Sequence, residues 1–272
     1  MGATVEIAGR ALPYVDILGA RVHGPTRPQA VDIIEQWIRR NDGRARMVVV
    51  TGFHGLWVGH QDPDFRRILN AADLFVPDGI APVWLSKLHG RPLPGKVAGQ
   101  ELMQAFLERA DRAGYRSFFY GDTQATLDAL DAQIGRRFPG ARTVGMVSPP
   151  FRALTDDEET AYVDQINAAA PDVLWVGLGL PKQDRWIARN LHRLQVPVAI
   201  GVGAAFRFQA GTASRGPKWL RDAGFEWVWR FAASPGKLWR RDLVDGPRFV
   251  VAALREAWRA RRRGAAERRD RM

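Results

Sequence analysis

Three apolar segments of this chain run straight into glycine and polar residues at their C-terminal ends. They are Met47–Thr51 before Gly52, Leu74–Val76 before Pro77-Asp78-Gly79, and Val173–Val176 before Gly177-Leu-Gly-Leu-Pro-Lys-Gln-Asp184. Short runs of this kind read as strands buried on both faces of a parallel sheet. Open α/β sheets take their ligands outside the carboxyl ends of such strands. Glycine at those ends lets a backbone approach a phosphate, and a following helix offers unpaired N–H groups and a positive dipole end.

The rest of the chain extends the pattern. After a short strand near Tyr14–Leu18, a turn at Gly24-Pro-Thr26 and a helix over about Gln29–Arg40, strands are predicted at Met47–Thr51, Leu74–Val76, Ser117–Tyr120, Thr143–Met146, Val173–Val176 and Val198–Val202. Helical patterns alternate with them at Gly99–Ala113, Gln124–Phe138, Thr155–Ala169 and Lys182–Leu194. Strict alternation implies right-handed βαβ units, hence an α/β fold with a Rossmann-like, mostly parallel sheet and flanking helices. Thr155-Asp-Asp-Glu158 matches a capping box.

Composition narrows the partners. There are 272 residues, 46% of them hydrophobic, enough for a full α/β core, and no cysteine, which excludes disulfides, thiolate metal sites and cysteine nucleophiles. No stretch has the length and apolarity of a spanning helix, and the N-terminus lacks the layout of a signal peptide. The net charge of +11 is concentrated from Arg215 to Met272, where sixteen Lys and Arg face seven Asp and Glu and five of the ten tryptophans lie. Basic residues interleaved with indoles suit an anionic membrane surface, and a nucleic acid is the rival partner. The chain therefore divides into a domain over residues 1–211 and a basic, Trp-rich C-terminal helical appendage over 212–272. Such an appendage also offers a surface for self-association.

Asp78, between Pro77 and Gly79 at a strand end, is the candidate general base, with Phe75 and Ile80 as apolar neighbours. Gly177, Gly179, Lys182 and Gln183 suit a phosphorylated or hydroxyl-rich ligand, and Gly203 with Phe206 ends another strand in the same way. Neither a nucleotide G-x-G-x-x-G fingerprint nor a P-loop is present. The five histidines show no paired ligand spacing, so no metal site is expected; His54, just past Thr51, is the one to watch.

The ordered set Thr51, Phe75-Val-Pro-Asp-Gly-Ile80, Lys96-Val-Ala-Gly99, Val176-Gly-Leu-Gly-Leu-Pro-Lys-Gln-Asp184, Gly201-Val-Gly-Ala-Ala-Phe206, Ala210-Gly211, Arg215-Gly-Pro217 and Glu226-Trp-Val-Trp-Arg230 resembles the WecG/TagA/CpsF glycosyltransferase family from about Val15 to Phe249. The resemblance implies inverting, metal-independent transfer of a sugar from a UDP-sugar to a polyprenyl-diphosphate-linked saccharide. The setting would be the cytoplasmic membrane face, during synthesis of a bacterial surface polysaccharide. It implies no cofactor and no nucleic-acid partner, and it assigns Asp78 as base, Thr51 as its catalytic companion and Gln183 to the donor. The substrate-binding set is Gly79, His54, Gly121, Phe151, Gly177, Gly179, Lys182, Gln183, Gly203, Phe206 and Arg207. Arg215, Lys218, Arg221 and Arg230 join it from the appendage as cations for the departing diphosphate. The chain departs from the family pattern at Phe53-His54, where Asn is usual, at Gln183-Asp184 in place of Gln-Glu, and at Phe206-Arg207 in place of Phe-Asp. These departures keep open a second reading, a non-catalytic nucleotide-sugar binder.

Overall fold

The structure is a computed structural model that describes residues 6–7, 10–214, 216–217, 229, 236 and 239–269, with side chains between 11 and 259. Two short antiparallel pairs open the chain, β1 (Glu6–Ile7) with β2 (Arg10–Ala11) and the hairpin β3 (Tyr14–Ile17) with β4 (Ala20–His23). Helix α1 (Arg27–Arg40) follows, started by a capping box between Thr26 and Gln29. Six parallel strands then form the main sheet in the order β6-β5-β10-β9-β7-β8. They are β5 (Arg46–Thr51), β6 (Leu74–Pro77), β7 (Arg116–Gly121), β8 (Arg142–Val147), β9 (Val173–Gly177) and β10 (Val198–Gly201). The doubly covered parallel sheet expected from the apolar runs is the observed one: every residue of β5, β6, β9 and β10 is buried, whereas edge strand β8 is only half-buried.

Alternation of side chains assigns each strand residue to one of two cores. Val48, Val50, Trp175 and Ile200 point to the face covered by α1, α5 (Gly99–Ala113), α6 (Gln124–Arg137) and α9 (Ala205–Gln209). Met47, Val49, Leu174 and Val176 point to the other face. That face is covered by the hairpin, α2 (Phe53–Gln61), α3 (Pro63–Ala71), α7 (Asp156–Ala168), α8 (Lys182–Asn190) and the C-terminal α10 (Gly246–Arg269). A π-helical segment, Arg240–Asp245, leads into α10, and α4 (Ala81–Leu88) follows β6. Phe249 and Ala253 of α10 are buried in this second core.

The structure differs from expectation at the end of one helix and in several further elements. Helix α8 stops at Asn190 rather than Leu194, because the Asn190 carbonyl accepts the N–H groups of Arg193 and Leu194 in a turn. The elements β4, α2, α3, α4 and α9 had no counterpart in the sequence reading. In α2, Gly55 and Gly59 weaken the helical signal, yet a Cβ at Gly55 would overlap the Thr51 side chain and one at Gly59 would stand 2.8 Å from Leu69 Cδ1. Tight packing there outweighs the roughly 1 kcal/mol that each glycine costs a helix.

Candidate functional site

The carboxyl edge of the sheet, from β6 across to β7, spans four inter-strand spacings, or about 19 Å at ~4.8 Å each. Three helices of eight or nine residues start on this edge without a side-chain cap: α2 behind Gly52, α4 behind Ile80 and α8 behind Pro181. Helix α6, which starts on the same edge behind β7, is capped by Thr123, and α1, α3 and α7 are capped by Thr26, Asp62 and Thr155; α5 behind Ala98 and the five-residue α9 behind Ala204 also start without a side-chain cap. Uncapped starts leave N–H donors and positive dipole ends directed at the crevice, an arrangement that favours an anion.

At one end of the edge, Thr51 and Asp78 close adjacent strands. The Asp78 N–H donates to the Thr51 carbonyl at 3.0 Å, and the Pro77 carbonyl accepts from Val97 N–H at 2.9 Å. Any Cβ at Gly52 would overlap the Asp78 carbonyl oxygen, so only glycine permits this approach. Gly79 has φ +83° and no atom within 4 Å of where a Cβ would stand. Asp78 is therefore held at the backbone in an open turn.

His54 lies in the first turn of α2. Its Nδ1 is buried without a hydrogen-bond partner, and burial followed by the Arg241 charge holds its pKa below the usual imidazole range. Arg241 Cζ itself stands 6.0 Å from the Phe53 ring centroid, and Arg241 donates to Asp242 through Nε to Oδ1 at 2.6 Å and Nη2 to Oδ2 at 2.9 Å. Phe249 packs 5.8 Å from Phe53. The root of the C-terminal helix thus walls the Thr51 side, and Arg241 and Asp242 belong to a site that sequence reasoning drew without them. Their signal is weak, two charges in a run of charges.

At the other end lies the topological switch point: β7 continues outward to β8, whereas β9 continues inward to β10. Gly121 has φ +124°, and a Cβ there would stand 2.6 Å from the Gly177 carbonyl carbon. A Cβ at Gly177 would stand 2.8 Å from the Phe206 ring. Gly177 packs against Gly121 and Phe206, and the Phe206 side chain is fully buried beneath this loop. Gly179, with φ +78° and nothing within 4 Å, is the open glycine of that loop.

Arg207 is paired with an acid. The family pattern made it a cation in place of a carboxylate, but its Nε donates to Asp122 Oδ2 at 2.8 Å, so the corner carries a pair. Asp122 is buried, has φ +59°, and is tied further through Thr123 N–H and, at its carbonyl, by the Ser148 hydroxyl. The strand-end rule that selected Asp78 also fits Asp122, directly after β7. Gln183 is buried and its Oε1 accepts from Gly203 N–H at 2.9 Å, tying the α8 start to the end of β10. Lys182 beside it is exposed, as is Phe151, 79% exposed in the segment after β8. Arg215, Lys218, Arg221 and Arg230 lie outside the described residues. Among the described residues, no group of three or more His, Asp or Glu is placed to hold a metal ion.

Comparison with known proteins matches residues 15–263 to the model of the "Glycosyl transferase WecG/TagA/CpsF family". The chain belongs to the WecG/TagA/CpsF family of glycosyltransferases. It is 34% identical over 195 residues, 72% of this chain and 73% of the relative, to an N-acetylglucosaminyldiphosphoundecaprenol N-acetyl-beta-D-mannosaminyltransferase of Bacillus spizizenii. Proteins of the same name from Bacillus subtilis and Staphylococcus aureus are 27% identical over 196 residues (72% of this chain, 74% of theirs) and 26% over 216 residues (79% and 83%). In this WecG/TagA/CpsF glycosyltransferase the crevice has Asp78 and the uncapped starts of α2 and α4 at one end of the sheet edge, and the Gly179 loop, the uncapped start of α8 and Arg207 towards the other.

Proposed function

We propose that this glycosyltransferase moves a sugar from a UDP-sugar to a polyprenyl-diphosphate-linked saccharide with inversion and without a metal ion. The reading rests on one juxtaposition: Asp78 and Thr51 close neighbouring strands beside the uncapped starts of α2 and α4. The Asp78 carboxylate takes the proton of the acceptor hydroxyl, whose oxygen attacks the anomeric carbon. The bond from that carbon to the diphosphate breaks, and UDP departs with the electron pair. Helix starts, Arg207, Lys182 and the appendage cations Arg215, Lys218, Arg221 and Arg230 meet the growing negative charge. The relatives' names support N-acetylmannosamine as the sugar and an N-acetylglucosamine-bearing lipid diphosphate as the acceptor.

The membrane side of the reading rests on α10. Val250, Val251, Leu254 and Trp258 are each about half exposed, and their spacing sets them along one face of that helix. Trp239, Leu243 and, on α4, Trp84 are exposed as well. No described helix is long and apolar enough to cross a membrane. A basic segment with an apolar stripe instead docks in the plane of an anionic surface.

The test is acceptor-dependent UDP release by the full-length chain in the presence of EDTA. Asp78→Asn should lower it by about 10²–10⁴-fold while leaving melting behaviour and UDP binding intact. Turnover close to that of the native chain would remove Asp78 from the chemistry.

A further inference from the structure

A second concavity lies away from the sugar-transfer edge. It is a cavity of about 880 Å³ between the β3–β4 hairpin, the C-terminal ends of α2 and α4, and α10. Its volume falls in the ~300–1,000 Å³ range of small-ligand sites. His60 closes α2 and His89 caps α4, whereas the Thr51 and Asp78 strand ends adjoin the opposite ends of these helices. His60 lies seven positions after Phe53 in α2, about 10 Å along the helix.

The lining carries four arginines against two acids, and Arg91 Cζ stands 5.6 Å from the ring centroid of Tyr14 in the same wall. Arg66, Arg91, Arg255 and Arg259 all face the cavity, and none has a carboxylate partner among the described residues. The two acids in the wall are engaged otherwise. Asp16 accepts from Arg21 Nε at 3.3 Å, and Glu256 Oε2 accepts the Leu18 N–H at 2.7 Å. His89, with a side chain only 9% exposed, has a buried Nε2 without a hydrogen-bond partner, 3.7 Å from Glu256 Oε2. Four guanidinium groups around one space repel one another, and a bound anion converts that cost into charge-assisted, fork-shaped hydrogen bonds.

We infer that this cavity binds a phosphate-bearing anion, the chemistry shared by an anionic phospholipid headgroup and a soluble phosphate ester. The lipid source draws on the docking face of α10 proposed above. Arg255 stands four residues from Val251 and next to Leu254, so the cavity opens beside the apolar stripe. A headgroup seated among the arginines would leave its acyl chains at that stripe.

The experiment uses the full-length protein and no turnover, so failure of the sugar-transfer reading leaves it intact. Binding is measured by sedimentation with phosphatidylcholine vesicles, with vesicles of phosphatidylcholine and phosphatidylglycerol, and by calorimetric titration with glycerol phosphate. The variants are Arg66→Gln/Arg91→Gln, which leaves α10 untouched, and a charge-matched control on the opposite sheet face, Arg112→Gln/Arg136→Gln. A lipid-headgroup site predicts at least tenfold weaker partition of the first variant to the anionic vesicles, with little change in the control. A soluble-ester site predicts glycerol phosphate binding that the first variant loses while vesicle partition persists. Equal responses of the two variants in both assays would overturn the proposal. Arg66→Lys/Arg91→Lys keeps the charge and guards against misfolding; it should bind less than the native chain and more than the glutamine variant.

Discussion

Asp184 occupies the inner face of α8, fully buried, and neither carboxylate oxygen has a hydrogen-bond partner in another residue. A Cβ at Gly201 would stand 2.7 Å from its Oδ1, so the carboxyl rests on the end of β10. Burial pushes its pKa up to about 7. In the unfolded chain the group ionises near 3.9, so between these values the unfolded state releases a proton that the native state keeps. Native stability from this group is full below about pH 4, declines as pH rises towards 7 and levels off above it. Asp184→Asn should therefore melt with the native chain near pH 4 and progressively above it towards pH 8, at roughly 2–4 °C per kcal/mol for a chain of this size. A difference independent of pH, read by calorimetry across that range, would contradict the assignment. From sequence, Asp184 reads as an ordinary first-turn acid; nothing in Lys182-Gln183-Asp184 says which side faces the sheet.

At the scale of elements, α10 carries three surfaces. Phe249 and Ala253 enter the core, Arg255 and Arg259 line the cationic cavity, and Val250, Leu254 and Trp258 face outward. Leu254 and Trp258 are each about half exposed, so Leu254→Ser/Trp258→Ser should cost less stability than truncating the buried Phe249 to Ala. The same pair should lower sedimentation with anionic vesicles several-fold. Retention of full vesicle binding would place the docking surface elsewhere. The basic, Trp-rich character of this segment was legible in composition, but its division into core, cavity and outward faces was not. Helix α2 illustrates the converse, since its glycines obscured it until their close neighbours, Thr51 and Leu69, were in place.

Across the whole molecule, the sheet reverses its direction of growth between β7 and β9, and Gly121 and Gly177 make that contact. Gly121→Ala combines a disfavoured φ of +124° with a clash against backbone that has nowhere to retreat. It should cost on the order of 2–4 kcal/mol in denaturant unfolding, whereas Gly79→Ala, with open space around it, should cost about 1–2 kcal/mol. Equal costs would mean that the strand contact yields more readily than its geometry implies.

The sequence by itself determined the fold class, the strands that end in the site, and Asp78, Thr51 and the glycine loop before α8 as the residues at those ends. Strand and helix periodicity and turn chemistry are local, so they can be read along the chain. Only the tertiary structure decided that β7 and β9 flank the switch point and that Gly177 and Phe206 serve packing. It also decided that Arg207 is paired with Asp122 and that four arginines distant in sequence surround one cavity. Each of these depends on which strands become neighbours and which helix covers them, a matter of long-range packing that no local pattern encodes.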